Sequence, residues 1–199
     1  MTSWDELAVL AAGCTACPEL VATRRQVVFG QRPASTGRAP YDLVLLGEAP
    51  GADEDATGTP FVGRSGQLLD LLLAEAGLPR PSVGVVNVLK CRPPGNRKPS
   101  RFELTNCRGW LDRQLDLLDP LVVLTLGGTA TEAMLGKGAR LTQLRGQDHA
   151  VGGRVVVATY HPSAAIRFGP RGVPRAALVE DLAYVARRVG ELRAARSGS

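Results

Sequence analysis

No stretch of this 199-residue chain is apolar for long enough to span a bilayer. Its first residues, MTSWDELAVLAAG, are acidic and set no cationic flank before an apolar core, so no signal peptide is expected. Histidine is scarce, with two residues, and cysteine stops at four. There is no internal repeat, and the one glycine loop that resembles a phosphate cradle, GEAPG at 47–51, has neither dinucleotide nor P-loop spacing and no Gly-Lys-Ser/Thr after it. These absences argue against a membrane protein, a solenoid and the two common nucleotide loops, and the chain is expected in the cytoplasm. In that reducing compartment four cysteines are poor disulfide candidates and better metal ligands or inert core thiols.

What is present suits a full hydrophobic core: 44% of the residues are hydrophobic, and one domain over residues 1–195 with a disordered polar tail at 196–199 is the simplest reading. Lys plus Arg number 24 against 19 Asp plus Glu, an excess of five. That charge is compatible with a nucleic-acid partner and equally with an Arg-rich surface, so it suggests without deciding.

The chain is organised around residues 41–72, YDLVLLGEAPGADEDATGTPFVGRSGQLLDLL. Asp42 to Leu46 is a short apolar run that stops at Gly47, Glu48, Ala49, Pro50 and Gly51, the pattern of a buried strand delivering a polar loop. A helical pattern resumes only after Gly63, with Leu68, Leu69, Leu72 and Leu73 on one face, which leaves sixteen irregular residues in between. Loops that long inside compact domains are more often functional or disordered, and the single aromatic and the carboxylates of this one argue for function.

Elsewhere, Ser3 and Glu6 form a capping box for a helix to Ala12, ended by Gly13. Residues 18–40 read as a lead-in with one apolar run, 27–29. Val83 to Leu89 is a second strand carrying Asn87 near its end, and KCRPPGNRKP at 90–99 is a rigid basic loop. Ser100 and Glu103 box a helix through Leu118, stopped by Asp119 and Pro120. Leu121 to Leu126 and Arg154 to Thr159 are the third and fourth strands, a short helix ends near Gly136, and a long one covers Pro174 to Arg193. Apolar strands alternating with helices predict an α/β fold: three αβα layers around a four-stranded parallel sheet. Ligands of such sheets bind beyond the carboxyl ends of the strands. Glu48, Asn87, Gly127 and His161 all fall there, four independent placements that agree on one site.

The four cysteines, Cys14, Cys17, Cys91 and Cys107, have the spacing C-x2-C, a long gap, then C-x15-C, and suit one metal centre. Spacing alone leaves zinc and an iron–sulfur cluster both open. Either would clip the N-terminal segment to the basic loop and orient Arg92, Arg97, Lys98 and Arg101. Asp53, Glu54 and Asp55 read as a solvated turn or as a divalent-metal site for a phosphoesterase. Asn87 could satisfy strand-edge backbone groups, and Phe61 could be core.

With these residues in hand, the sequence resembles the family 4 uracil-DNA glycosylases, the iron–sulfur branch of the uracil-DNA glycosylase superfamily. The resemblance runs from Cys14 to about Arg167 and is carried by GEAPG at 47–51, GTPFVGRSGQLL at 58–69, NVLKCRPPGNRKP at 87–99, the four cysteines and HPSAAIR at 161–167. It implies a structural [4Fe–4S] cluster on Cys14, Cys17, Cys91 and Cys107, no catalytic metal, and uracil-containing DNA, single- or double-stranded, as substrate. It implies a uracil pocket of Gly47, Glu48, Ala49, Glu54, Phe61, Asn87 and His161, and a monomer in the cytoplasm associated with the nucleoid. By the same resemblance Phe61 would stack the base, Asn87 would read N3–H and O4, and His161 would donate to O2. Glu48 or Glu54 would orient water or stabilise the sugar. Arg64, Arg92, Arg97, Lys98 and Arg167 would contact phosphates, with Ile166 or Arg167 filling the vacated stack.

Two departures matter. Relatives with a GQDPYH motif carry an aspartate in the third slot of this loop, where Ala49 stands here, so the water-activating group differs or is dispensable. A covalently trapping relative has a histidine after its asparagine motif, and none lies between Asn87 and Cys107, so turnover is expected. Ser65 replaces a more usual alanine, which puts nothing in doubt. The rival reading from another class is a non-catalytic iron–sulfur module that binds DNA.

Overall fold

The alternation of side chains along the strands decides the layers. In a computed structural model that describes residues 2–34 and 41–197, β1 (Leu43–Gly47) is buried along its whole length. Leu43 and Leu45 face a core shared with Leu69, Leu72, Leu178 and Leu182, whereas Val44 and Leu46 face another shared with Leu111, Leu115 and Ala130. A strand apolar on both faces must be covered on both, and it is. On the first side lie α4 (Arg64–Glu75), α8 (Pro162–Phe168) and α9 (Val173–Ser197); on the second lie α5 (Arg101–Leu118) and α6 (Gly128–Leu135). The three-layer αβα expectation therefore holds.

Among the described residues the sheet has five strands where four are expected. β1 pairs in parallel with β2 (Gly84–Asn87) and β3 (Val122–Leu126), and β3 pairs in parallel with β5 (Arg154–Thr159). The fifth, β4 (His149–Val151), is an antiparallel edge strand on β5, giving the order β2-β1-β3-β5-β4. Three partly exposed residues, His-Ala-Val, leave no apolar run to read in the sequence, and edge strands are commonly this short. The chain runs outward from β1 to β2, then crosses back to β3 and β5. The direction reverses between β1 and β3, which opens a crevice at their carboxyl ends.

Both capping boxes form as the sequence predicts. Ser3 and Glu6 open α1 (Trp4–Ala12), and Ser100 and Glu103 open α5. Cys17 precedes α2 (Pro18–Thr23) as its N-cap. The sixteen-residue connection after β1 is not irregular: it contains α3 (Ala52–Thr57), which ADEDAT conceals because six residues without an apolar face show no period. Two further short helices, α7 (Leu141–Leu144) and α8, escape for the same reason. The last helix continues to Ser197, so positions 196 and 197 of the expected tail are helical; 198–199, and the part of the lead-in at 35–40, lie outside the described residues. Among the described residues no helix is long and apolar enough to cross a membrane.

Candidate active site

A cleft of about 480 Å³ lies at the carboxyl ends of the strands, lined by Glu48, Glu54, Phe61, Asn87, Gly127 and His161 among others. Its centre is set by an absence. Gly47 ends β1 opposite Asn87 in register, and a Cβ on Gly47 would lie 2.3 Å from Asn87 Oδ1 and 2.7 Å from Cε2 and Cζ of Phe61. Amide and ring thus converge on the space a side chain would fill, and only glycine leaves it. Phe61 adopts φ +55°, a left-handed conformation rare for a bulky residue. Its carbonyl crowds α4 so closely that a Cβ on Gly66 would stand 1.8 Å from the oxygen. Arg80 steadies the same loop, donating to the Pro60 carbonyl at 2.6 Å while it pairs with Asp70 at 2.9 Å.

Asn87 is 2% exposed, and among the described residues its Oδ1 has no hydrogen-bond partner. A buried acceptor left unpaired costs about 1–3 kcal/mol, so such an atom in a cleft wall marks a place where a donor belongs. The backbone carbonyl of Asn87, by contrast, is taken: the buried ammonium of Lys90 donates to it.

His161 caps α8. Its Nδ1 accepts from the Ser163 backbone N–H at 3.1 Å and lies 2.8 Å from the Ser163 hydroxyl. An N–H can only donate, so Nδ1 is unprotonated and the neutral ring carries its proton on Nε2. Burial pushes the His161 pKa down to about 4, against a smaller upward pull from the charge of Glu54. The ring is therefore neutral near pH 7. The other histidine, His149, bonds the Leu144 carbonyl at 2.9 Å, away from the cleft.

The two candidate carboxylates differ in their freedom. Among the described residues the Glu48 carboxylate takes one hydrogen bond, from the Thr129 hydroxyl to Oε2 at 2.5 Å, at the N-terminal turn of α6. Glu54 is committed to the backbone. Its Oε1 accepts from Val62 and Gly63 N–H, both at 2.9 Å, and its Oε2 from Gly51 N–H at 3.0 Å, so it ties α3 to the loop that carries Phe61. Asp55, 2% exposed, accepts from the Arg25 N–H at 3.0 and 3.1 Å and so anchors the N-terminal segment. Glu54 and Asp55 thus serve separate structural partners, and among the described residues no three His, Cys, Asp or Glu form a group that could hold a metal ion. The divalent-metal alternative for Asp53, Glu54 and Asp55 is corrected accordingly.

The four cysteines line one small apolar pocket with Leu20, Val27, Leu89 and Trp110, and none forms a disulfide. Three N–H donors reach their sulfurs: Arg24 Nη1 to Cys91 at 3.0 Å, the Lys90 backbone to Cys107 at 3.3 Å and Asn106 Nδ2 to Cys17 at 3.7 Å. Burial raises the Cys107 thiol to about 11 and pushes Cys91 upward as well. Lys90, desolvated itself, falls to about 8, with the Cys107 and Cys91 sulfurs opposing the drop.

Of the expected phosphate contacts, Arg64 and Arg97 line the cleft, and Pro93 and Asn96 of the basic loop form its rim. Arg92 donates to Asn96 Oδ1 at 2.7 Å, Lys98 and Arg167 are exposed, and Ile166 is half-buried beside an exposed Phe168. Arg97 already bridges Glu103 at 2.6 Å and Glu19 at 3.0 Å; these carboxylates push its pKa up, and its guanidinium in turn holds the Glu103 carboxyl down at about 2. Thr129, Lys90 and Asp55 escape sequence reading. A hydroxyl, an ammonium and a carboxylate give no signal of what they will bond until their partners are located.

The chain matches the Uracil DNA glycosylase superfamily model over residues 34–183. It is 43% identical over 156 residues to the type-4 uracil-DNA glycosylase of Thermotoga maritima, covering 77% of this chain and 78% of that protein. It is 36% identical over 200 residues to the type-4 uracil-DNA glycosylase of Archaeoglobus fulgidus, covering 96% and 94%. The type-5 uracil-DNA glycosylase of Thermus thermophilus is 36% identical over 183 residues, covering 75% and 82%.

Proposed function

The chain belongs to the uracil DNA glycosylase superfamily, and from that membership we propose that it is a DNA-repair hydrolase. It turns a deoxyuridine out of DNA, cuts the N-glycosidic bond, releases uracil and leaves an abasic site. The observation that carries this reading is the buried, unpartnered Oδ1 of Asn87 beside Phe61. Uracil presents N3–H next to O4, a donor beside an acceptor, which an amide matches with its own acceptor and donor. Cytosine presents the reverse, and the buried amide is then left mispaired.

Flipping the nucleotide costs a few kcal/mol, least where the base is mismatched or the DNA single-stranded. Phe61 stacks the base. As the bond from N1 to C1′ breaks, its electrons pass to the ring and negative charge grows on O2, where the Nε2–H of His161 donates without carrying a formal charge itself. The sugar becomes cationic in character. Glu48 is the carboxylate best suited to stabilise it and orient the attacking water, since Glu54 already accepts three backbone hydrogen bonds. Arg64, Arg92, Lys98 and Arg167 hold phosphates, with a smaller part for Arg97, whose charge is shared with Glu19 and Glu103. Ile166 or Arg167 fills the gap in the stack.

Cys14, Cys17, Cys91 and Cys107 would hold a [4Fe–4S] cluster. The donor set fits it: four thiols around one apolar pocket, with N–H groups on three sulfurs. A cluster sets its ligands around a body of several atoms, so they need not converge as for one ion. When bound it supplies a crosslink between the N-terminal segment and the basic loop. The enzyme acts as a monomer in one domain, on nucleoid DNA in the cytoplasm.

The test is release of free uracil from a uracil-containing oligonucleotide, single- and double-stranded, in excess EDTA. Free base and an alkali-labile site are expected. Binding of the DNA with no base released would leave the non-catalytic reading in its place.

A further inference from the structure

Among the described residues Lys90 is the largest fully buried side chain, 1% exposed, in a class of residue that is almost never interior without a paired charge. Among the described residues no carboxylate pairs with it. It lines the cysteine pocket together with Cys91 and Cys107. It belongs to two places at once. Its backbone N–H donates to Cys107 Sγ at 3.3 Å, and Cys91 is its chain neighbour. Its Nζ turns back to the carbonyl oxygen of Asn87, whose amide stands in the cleft wall.

The segment between is rigid. Val88 N–H and Leu89 N–H donate to the Gly47 and Glu48 carbonyls, both at 2.9 Å, so the backbone after β2 keeps its pairing beside the cleft. Lys90 closes the end of that ladder. Arg24 also lines the cysteine pocket and places Nη1 3.0 Å from Cys91 Sγ and Nη2 2.7 Å from the Cys14 carbonyl. Four thiolates on a dicationic metal core would carry a net charge of about −2, and these two cations would balance it in an apolar pocket where an unmatched charge is costly.

We propose that Lys90 is a positioning residue that couples the cysteine site to base recognition: its ammonium neutralises the thiolate-bound centre and, by holding the Asn87 carbonyl, fixes the end of β2 from which the amide reads the base. This rests on the reading of the cleft as a uracil site and of the cysteines as ligands to a metal centre. A merely structural lysine would stabilise the fold without linking metal content to uracil affinity.

Two variants separate the roles. Lys90→Met keeps the length and removes the charge. Lys90→Arg keeps the charge, but its planar, longer head group cannot repeat the single bond to the Asn87 carbonyl. The readouts are iron per chain after anaerobic purification, visible absorption, and the inhibition constant of free uracil in the release assay. Lys90→Met is expected to lose half or more of its iron. Lys90→Arg is expected to keep wild-type iron while free uracil inhibits about tenfold more weakly, in the range usual for groups that orient a metal ligand or its neighbour. Should Lys90→Met fail to fold, Lys90→Arg tests the coupling alone. Wild-type uracil inhibition in Lys90→Arg, or wild-type iron in a folded Lys90→Met, overturns the proposal while wild-type uracil release still stands. A wild-type protein that releases no uracil overturns the parent reading and this one with it.

Discussion

The phenyl ring of Phe61 and the imidazole of His161 lie 5.8 Å apart, centroid to centroid, with 33° between their planes. Phe61 comes from the loop between α3 and α4, and His161 from the end of β5. The reversal of strand order between β1 and β3 puts both over one crevice, with the Asn87 amide as the third wall.

Gly47→Ala tests that convergence most directly. The added methyl would meet Asn87 Oδ1 at 2.3 Å and the Phe61 ring at 2.7 Å, so one of them must move. Displacements near an ångström cost on the order of 100-fold in rate, and overpacking typically costs about 1–3 kcal/mol in stability. Uracil release is expected to fall by about that factor in a protein that still melts cooperatively. An unchanged kcat/KM would mean that the two side chains do not share the base.

Asn87→Asp exchanges a donor for an acceptor at the reading edge. The kcat/KM for uracil should drop about 10- to 100-fold, as for one mispaired buried group, with measurable cytosine release emerging. Competition between uracil- and cytosine-containing oligonucleotides measures it, and unaltered selectivity would remove Asn87 from the reading role.

His161 makes two separable predictions. His161→Ala should slow cleavage about 100- to 1,000-fold, the usual effect of one preorganised oxyanion donor, while DNA affinity stays within a few-fold. In the wild-type enzyme the acidic limb of the rate profile should fall near pH 4, where the half-buried ring takes up its second proton, and not near its ordinary 6.5. The sign for stability follows from the same depression. Below about pH 6.5 the unfolded chain binds a proton that the native ring refuses, so stability declines as pH falls from 6.5 and levels off below about 4. Urea titrations across that window on wild type and His161→Ala would show the slope in the first and its loss in the second.

Thr129→Val removes the hydroxyl that donates to Glu48. With the carboxylate no longer held, kcat should fall about tenfold with KM nearly constant, and Thr129→Ser should restore it. A rise in KM alone would place Thr129 in substrate binding, and no change at all would detach Glu48 from the reaction.

The sequence by itself determined the layers and the edge where chemistry gathers. Strands such as LVLLG are apolar on both faces and can be satisfied only between two sheets of helices, and Glu48, Asn87 and His161 stand at strand ends whatever order the strands take. The capping boxes at Ser3 and Ser100 were legible because their donors and acceptors lie three residues apart. The tertiary structure decided what depends on distant partners. It chose Glu54 as a backbone clamp and left Glu48 freer, gave Asp55 to Arg25, turned Lys90 toward Asn87 and set the proton of His161 on Nε2. The short elements α3 and β4 were likewise hidden, because a few residues carry too little periodicity of their own and take their form from what they pack against.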